Sequence, residues 1–258
     1  MFNTCKKGHP VCRIVGGIDD DEIIYIDDKI NTDDKKNSKF KKNYFKDLEI
    51  KDGILQQVPD ITKERECGII TGASGSGKSY YVNNYISEYK KNYKKNDVYF
   101  FSVLDEDKSI NKNKIKRVRI NEDLIKEPIT IDDLKNSLVI CDDIEMIRDK
   151  SLKNELFTMI NSILMTGRHT NTSLLLTVHN CNTANTRLFL NECSFFVYFP
   201  FSTNKQVNYV LEHYLGIDKK EIKYIKSLKS RSCCVFKNYP QCILLEHNLF
   251  SLSDKEIN

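Results

Sequence analysis

Residues Gly72-Ala73-Ser74-Gly75-Ser76-Gly77-Lys78-Ser79 match every fixed position of a phosphate-binding loop. Its glycines let backbone N–H groups turn inward around an anion. A helix leaving the loop would aim its positive N-terminus at the same anion. Lys78 would then reach the β- and γ-phosphates of ATP, and the Ser79 hydroxyl would hold Mg²⁺. A second constellation, Leu138-Val139-Ile140-Cys141-Asp142-Asp143, delivers two carboxylates from the end of an apolar run. Asp142 suits a Mg²⁺ held through its water shell, and Asp143 suits a base that orients or deprotonates an attacking water. Glu145 is the fallback for that base. A third, Thr166-Gly167-Arg168-His169-Thr170, precedes an apolar run that ends in His179-Asn180. His179 could sense a γ-phosphate, and Arg168 could reach a neighbouring subunit's nucleotide. Their plainer readings are a loop histidine and a cation at a helix C-terminus.

These side chains need elements to position them. Cys67–Thr71 reads as a strand entering the loop, and Ser79–Lys91 as a helix leaving it, with Val82, Tyr85, Ile86 and Tyr89 three and four apart. Val98–Val103, Leu138–Cys141, Leu174–Val178 and Phe195–Phe199 read as further strands. Leu152–Met165, Asn204–Leu215 and Lys219–Leu228 read as helices, and Arg231–Phe250 as a hairpin around Asn238-Tyr239-Pro240. Apolar strands without alternation, separated by helices, imply an α/β fold with a mostly parallel sheet covered on both faces.

Residues 1–60 differ. Val11–Val15 and Glu22–Ile26 alternate as short strands, and Asp27–Lys46 is nearly all Asp, Lys and Asn, as in a solvated linker. The expected division is 1–60 as N-terminal strands and charged linker, and 61–258 as the nucleotide-binding domain. On that division, removal of residues 1–46 should leave the nucleotide site intact. Cys5, His9 and Cys12 offer three metal ligands, one short of a closed zinc site.

The 258 residues carry 40 basic and 36 acidic side chains, a net charge of +4 that does not amount to a nucleic-acid footprint. Local clusters matter more. Lys90, Lys91, Lys94 and Lys95 form one; Lys108, Lys112, Lys114, Lys116, Arg117 and Arg119 form another, and the second is favoured for phosphate contact. Nine scattered cysteines are not a disulfide framework, no run approaches a membrane span, and the first seven residues lack a signal peptide's apolar core. An intracellular protein is expected.

In their order, Gly72–Ser79, Leu138–Asp143, Gly167–His169 and Leu174–Asn180 resemble the FtsK–HerA superfamily of DNA-pumping ATPases. The likeness is strongest to the genome-packaging ATPases of large nucleocytoplasmic DNA viruses and virophages, and it covers residues 66–250. It implies a RecA/ASCE-like P-loop NTPase fold with a C-terminal hairpin. It also implies ATP hydrolysis with Mg²⁺, double-stranded DNA as the moved substrate, and a homo-oligomeric ring, hexameric by the family pattern. A capsid protein is an implied partner, and a host-cell viral factory or virion the implied location. The chain departs from the family in two places: His179 stands where the sensor is usually glutamine, and Asp142-Asp143 replaces the Asp-Glu of bacterial members. Two rivals stay open: a P-loop kinase of nucleosides or nucleic-acid ends, and a nucleotide-gated capsid-assembly factor.

Overall fold

The strand-forming runs β7 (Cys67–Thr71), β10 (Ser137–Asp142), β11 (Ser173–Val178) and β12 (Phe195–Tyr198) are each buried at every position. Such strands must be covered on both faces, and in the computed structural model they form the centre of a ten-stranded sheet. The structure describes residues 1–27, 44–105, 109–111, 114–202 and 205–252. Most of the charged stretch Asp27–Lys46, together with Lys108, Lys112 and Asn204, lies outside the described residues.

The sheet order is β5-β15-β14-β13-β12-β7-β11-β10-β8-β9. Six strands, β12, β7, β11, β10, β8 (Asp97–Ser102) and β9 (Lys116–Arg119), run parallel. Strands β13 (Cys233–Phe236), β14 (Cys242–Leu245) and β15 (Asn248–Ser251) follow antiparallel, and β5 (Asp47–Glu49) closes that margin. The expected α/β class, helices and hairpin are all present. β9 and the short helices α2 (Asp123–Lys126) and α4 (Arg187–Glu192) carry no periodicity long enough to announce them.

Helices cover the two faces unequally. One core joins the sheet to α3 (Lys150–Thr166), α4, α5 (Lys205–His213) and α6 (Lys219–Ser227). Leu156, Ile160, Ile163 and Leu164 of α3 are fully or nearly buried there, each contributing about 1.5–3 kcal/mol. Asp149 caps α3 by accepting from Leu152 N at 2.7 Å, and Asp218 with Glu221 forms a capping box on α6.

The other core is built around α1 (Lys78–Asn92), and here the N-terminal residues enter. Strands β1 (Phe2–Asn3), β2 (His9–Val15), β3 (Ile23–Ile26), β4 (Tyr44–Phe45) and β6 (Ile54–Gln57) form a separate five-stranded sheet. Phe2, Val11, Ile14, Ile24 and Leu55 of that sheet share one apolar cluster with Val82, Tyr85 and Ile86 of α1. Glu88 of α1, 1% exposed, fastens the contact: it accepts from Arg13 Nε at 3.1 Å, Gln56 Nε2 at 3.1 Å and Lys91 Nζ at 2.8 Å. Cys12 is buried in the same cluster, while His9 Nδ1 lies 2.9 Å from Asp60 Oδ2. No group of three or more metal-ligating side chains gathers among the described residues. No described helix is long and apolar enough to cross a membrane.

Candidate functional site

β7 ends at Thr71, and Gly72–Gly77 turn the chain into α1. Gly75 and Gly77 have φ of +75° and +112°, a region open to glycine at little cost. Gly72 is required for a different reason. A Cβ there would stand 2.5 Å from Ser76 Oγ and 2.8 Å from the Phe199 ring. The loop is anchored to the next strand by Gly72 N donating to Val178 O at 3.2 Å.

Lys78 is buried, and its Nζ donates to Gly72 O at 2.9 Å, with His179 Nδ1 at 3.4 Å. Burial lowers its pKa, and the nearby carboxylates of Asp143, Asp142 and Glu145 oppose that shift. Strand order explains the gathering. β11 lies between β7 and β10, so the chain just after β11 stands between the loop and the two aspartates. Parallel strands put all three ends on one edge, where open α/β sheets bind ligands.

Asp142 is buried, and its Oδ1 accepts from Thr177 Oγ1 at 2.5 Å. The same Thr177 hydroxyl accepts from Asp143 N at 3.2 Å, so one side chain orients both aspartates. Asp143 has φ of +46°, a left-handed turn that carries its carboxylate off the strand axis. Asp143 Oδ1 stands 3.3 Å from His179 Nε2 but is buried without an aligned hydrogen bond. Glu145 accepts from His179 N at 2.7 Å and from Asn180 N at 2.8 Å. Both its oxygens hold backbone, so it anchors the loop that carries His179. Thr177 and Glu145 are the side chains that sequence reasoning missed in these duties. The signal for Thr177 was its hydroxyl within the otherwise apolar Leu174–Val178 run.

The site offers phosphate and metal ligands in the right chemistry. Ser76 Oγ, Thr71 Oγ1 and Asp143 Oδ1 are buried without hydrogen-bond partners around or beside the loop, as expected where ligand oxygens or water complete the set. Ser79 opens α1 beside Lys78, and Asp142 supplies a buried carboxylate across the edge.

Arg168 is not in this group. It precedes β11, so it lies at the opposite edge of the sheet, separated by a six-residue strand of about 20 Å. Its side chain is 73% exposed, with Nε 4.0 Å from Glu64. Six of the described residues of the basic clusters make side-chain contacts within the chain. Lys90 Nζ donates to Asn96 O at 2.6 Å, and Lys91 pairs with Glu88. Lys114 donates to Ser87, Lys116 pairs with Asp97, and Arg119 with Asp105. Arg117 donates to Leu104 O and lies 4.8 Å from the Phe100 ring centroid.

The chain is 33% identical over 255 residues to an uncharacterized protein, V3, of Sputnik virophage, covering 98% of this chain and 99% of that protein. Among solved structures it is similar to the pCW3 conjugation coupling protein TcpA. That match has 15% identity and a TM-score of 0.50, covering 92% of this chain and 77% of that one. It is also similar to the cytoplasmic domain of the type VII secretion ATPase EccC of Thermomonospora curvata. There the identity is 12% and the TM-score 0.52, over 78% of this chain and 28% of that one. At these identities the two structures speak for the fold. No protein-family model matches the chain.

Proposed function

This chain belongs to the family of the Sputnik virophage protein V3, and from that premise we propose that it is a P-loop ATPase of the FtsK–HerA superfamily that translocates DNA and packages a viral genome. The observation that carries this is the convergence of Lys78, Asp142, Asp143 and His179 on one strand edge around a complete phosphate loop. Residues 61–258 are assigned as the motor and 1–60 as an appended β module, one strand of which, β5, joins the motor sheet.

Residues Gly72–Ser79 would wrap the phosphates in backbone N–H groups, with Lys78 exchanging its loop carbonyl for the β- and γ-oxygens. Ser79 and Asp142 would hold Mg²⁺, which when bound neutralises charge on the β- and γ-phosphates. Asp143 takes the proton of the attacking water, and its orphaned Oδ1 is the acceptor. His179 donates to the γ-phosphate and, through the Glu145 clamp on its backbone, stays in register with Asp143. Arg168, remote from its own nucleotide, would act on a neighbour's within a homo-oligomeric ring. The moved substrate is double-stranded DNA and the destination a capsid, which places the protein in a viral factory of the host cell.

Phosphate release by the full chain with and without duplex DNA tests this reading. Stimulation by DNA, abolished in Lys78→Ala, is expected. Turnover indifferent to DNA would overturn translocation, and transfer of phosphate to a nucleoside or a nucleic-acid end would establish a kinase instead.

A further inference from the structure

The side chains above face one flank of the loop, toward β11 and β10. The opposite flank, toward β12, has received no role, yet a cleft opens there beside Gly77 and Tyr80. Three distant parts of the chain form it: β6 of the N-terminal sheet, the first turns of α1, and the ends of β13 and β14. Phe199 and Leu244 make it apolar, and Arg231 stands at its rim.

Two features point to a ligand. Gln57, 3% exposed, lines the cleft, and its Nε2 is buried with no hydrogen-bond partner. Its Oε1 already accepts from Tyr81 OH at 2.6 Å and Cys234 Sγ at 3.6 Å, so both carbonyl lone pairs are engaged. The amide therefore has only donors left, and a buried donor without an acceptor is unfavourable. Independently, Tyr80 keeps 55% of its surface exposed at the mouth, directly after the loop serine.

We propose that this cleft receives the purine base of the bound nucleotide, with Gln57 Nε2 donating to a ring nitrogen and Tyr80 covering a face of the ring. The inference rests on the ATP-binding reading of the loop. If the γ-phosphate lies by Lys78 and the β11 flank, the nucleoside leaves on the other flank, past Gly77 and Tyr80. A purine offers ring-nitrogen acceptors to a donor-only amide, and a flat apolar face to an aromatic ring. The base is then held partly by β6, a strand outside the region that resembles the packaging ATPases. The N-terminal module becomes part of the nucleotide site.

The test measures binding of ATP and of inorganic tripolyphosphate to the full chain and to three variants. Tyr80→Ala and Gln57→Met should each weaken ATP about 10-fold, the scale of one lost contact of this kind, and leave tripolyphosphate unchanged. Lys78→Ala should weaken both ligands. Tyr80 is exposed, so its variant keeps the fold and carries the test if Gln57→Met does not. Unchanged ATP binding in Tyr80→Ala, or equal losses for ATP and tripolyphosphate, overturns the base cleft. Should Lys78→Ala still lose ATP in that case, the phosphate-loop reading stands alone. Wild-type binding of both ligands by Lys78→Ala would instead overturn the loop as the nucleotide site, and the cleft with it.

Discussion

The phosphate loop opens α1 and the N-terminal sheet packs against the same helix, yet the two are specified in opposite ways. The loop is local: eight consecutive residues, a strand before and a helix after, fix where Lys78 points. The N-terminal sheet is nonlocal. β1 pairs with β3 and β4, and β2 with β3 and β6, so its register joins residues from about 10 to about 45 positions apart. Yet the two share one apolar cluster through Val82, Tyr85 and Ile86. A module that leaves no chemical motif can still hold the helix on which the chemistry depends. The expectation that residues 1–46 can be removed without consequence for the nucleotide site therefore has a structural argument against it.

The comparison can be sharpened from the motor side first. Arg168→Ala should bind ATP normally and lose roughly 10³-fold or more in hydrolysis, the usual scale for an arginine acting on a neighbour's phosphates. Mixed with Lys78→Ala subunits, activity should return once mass measurements show subunit exchange. No recovery after proven exchange would make Arg168 a local surface residue, consistent with its contact to Glu64.

From the module side, Glu88→Ala should destabilise the protein by about 3 kcal/mol in urea unfolding. It leaves Arg13 and Gln56 without the buried carboxylate they converge on. A loss within about 0.5 kcal/mol would mean that the N-terminal sheet is held by apolar packing alone. Asp143→Asn returns to the motor edge. It should spare nucleotide binding and cut turnover roughly 10²-fold, read in single-turnover phosphate release. Normal turnover would move the base elsewhere; Glu145, with both oxygens on backbone amides, is poorly placed to inherit the task.

The smallest expected effect lies at the junction of the two regions. Glu66 opens the strand into the loop, accepting from Asp60 N at 2.9 Å and Tyr85 OH at 2.9 Å. Burial raises its pKa from an ordinary 4.5 to about 6, against the hydrogen bond from Asp60. The folded chain thus holds this proton more tightly than the unfolded one. Its contribution is fully present below about pH 4.5 and is lost as pH rises through about 6, a change of about 2 kcal/mol. Thermal unfolding across pH 4–7 should show that segment of slope, and Glu66→Gln should flatten it.

How much was legible follows from the same contrast. The strands Cys67–Thr71, Leu138–Cys141 and Leu174–Val178 were readable because burial on both faces leaves an unbroken apolar run. The helix stripes of α1 and α3 were readable from their period. Asp142, Asp143 and His179 could be nominated because strand ends place side chains at the binding edge. Nothing in the text announced β6, whose Gln57 is one of four unremarkable residues. Two-residue strands such as β1 and β4 have no period at all, and their pairing is decided by what they bury. Arg168 was visible as a cation after a helix, but which edge it occupied required the parallel pairing of β7 and β11.

Among the described residues the ten-stranded sheet ends in two edge strands, and an unpaired edge invites another chain to add a strand. β9 ends one side with Lys116-Arg117-Val118-Arg119, and β5 ends the other with Asp47-Leu48-Glu49. Two copies that met through the same margin would bring like charges into adjacent rows, and no apolar stripe would reward them. Charge therefore disfavours strand addition between like margins of two copies, whereas the basic β9 margin and the acidic β5 margin of different copies attract one another. Salt near 1 M, which shortens the screening length to about 3 Å, would weaken both effects.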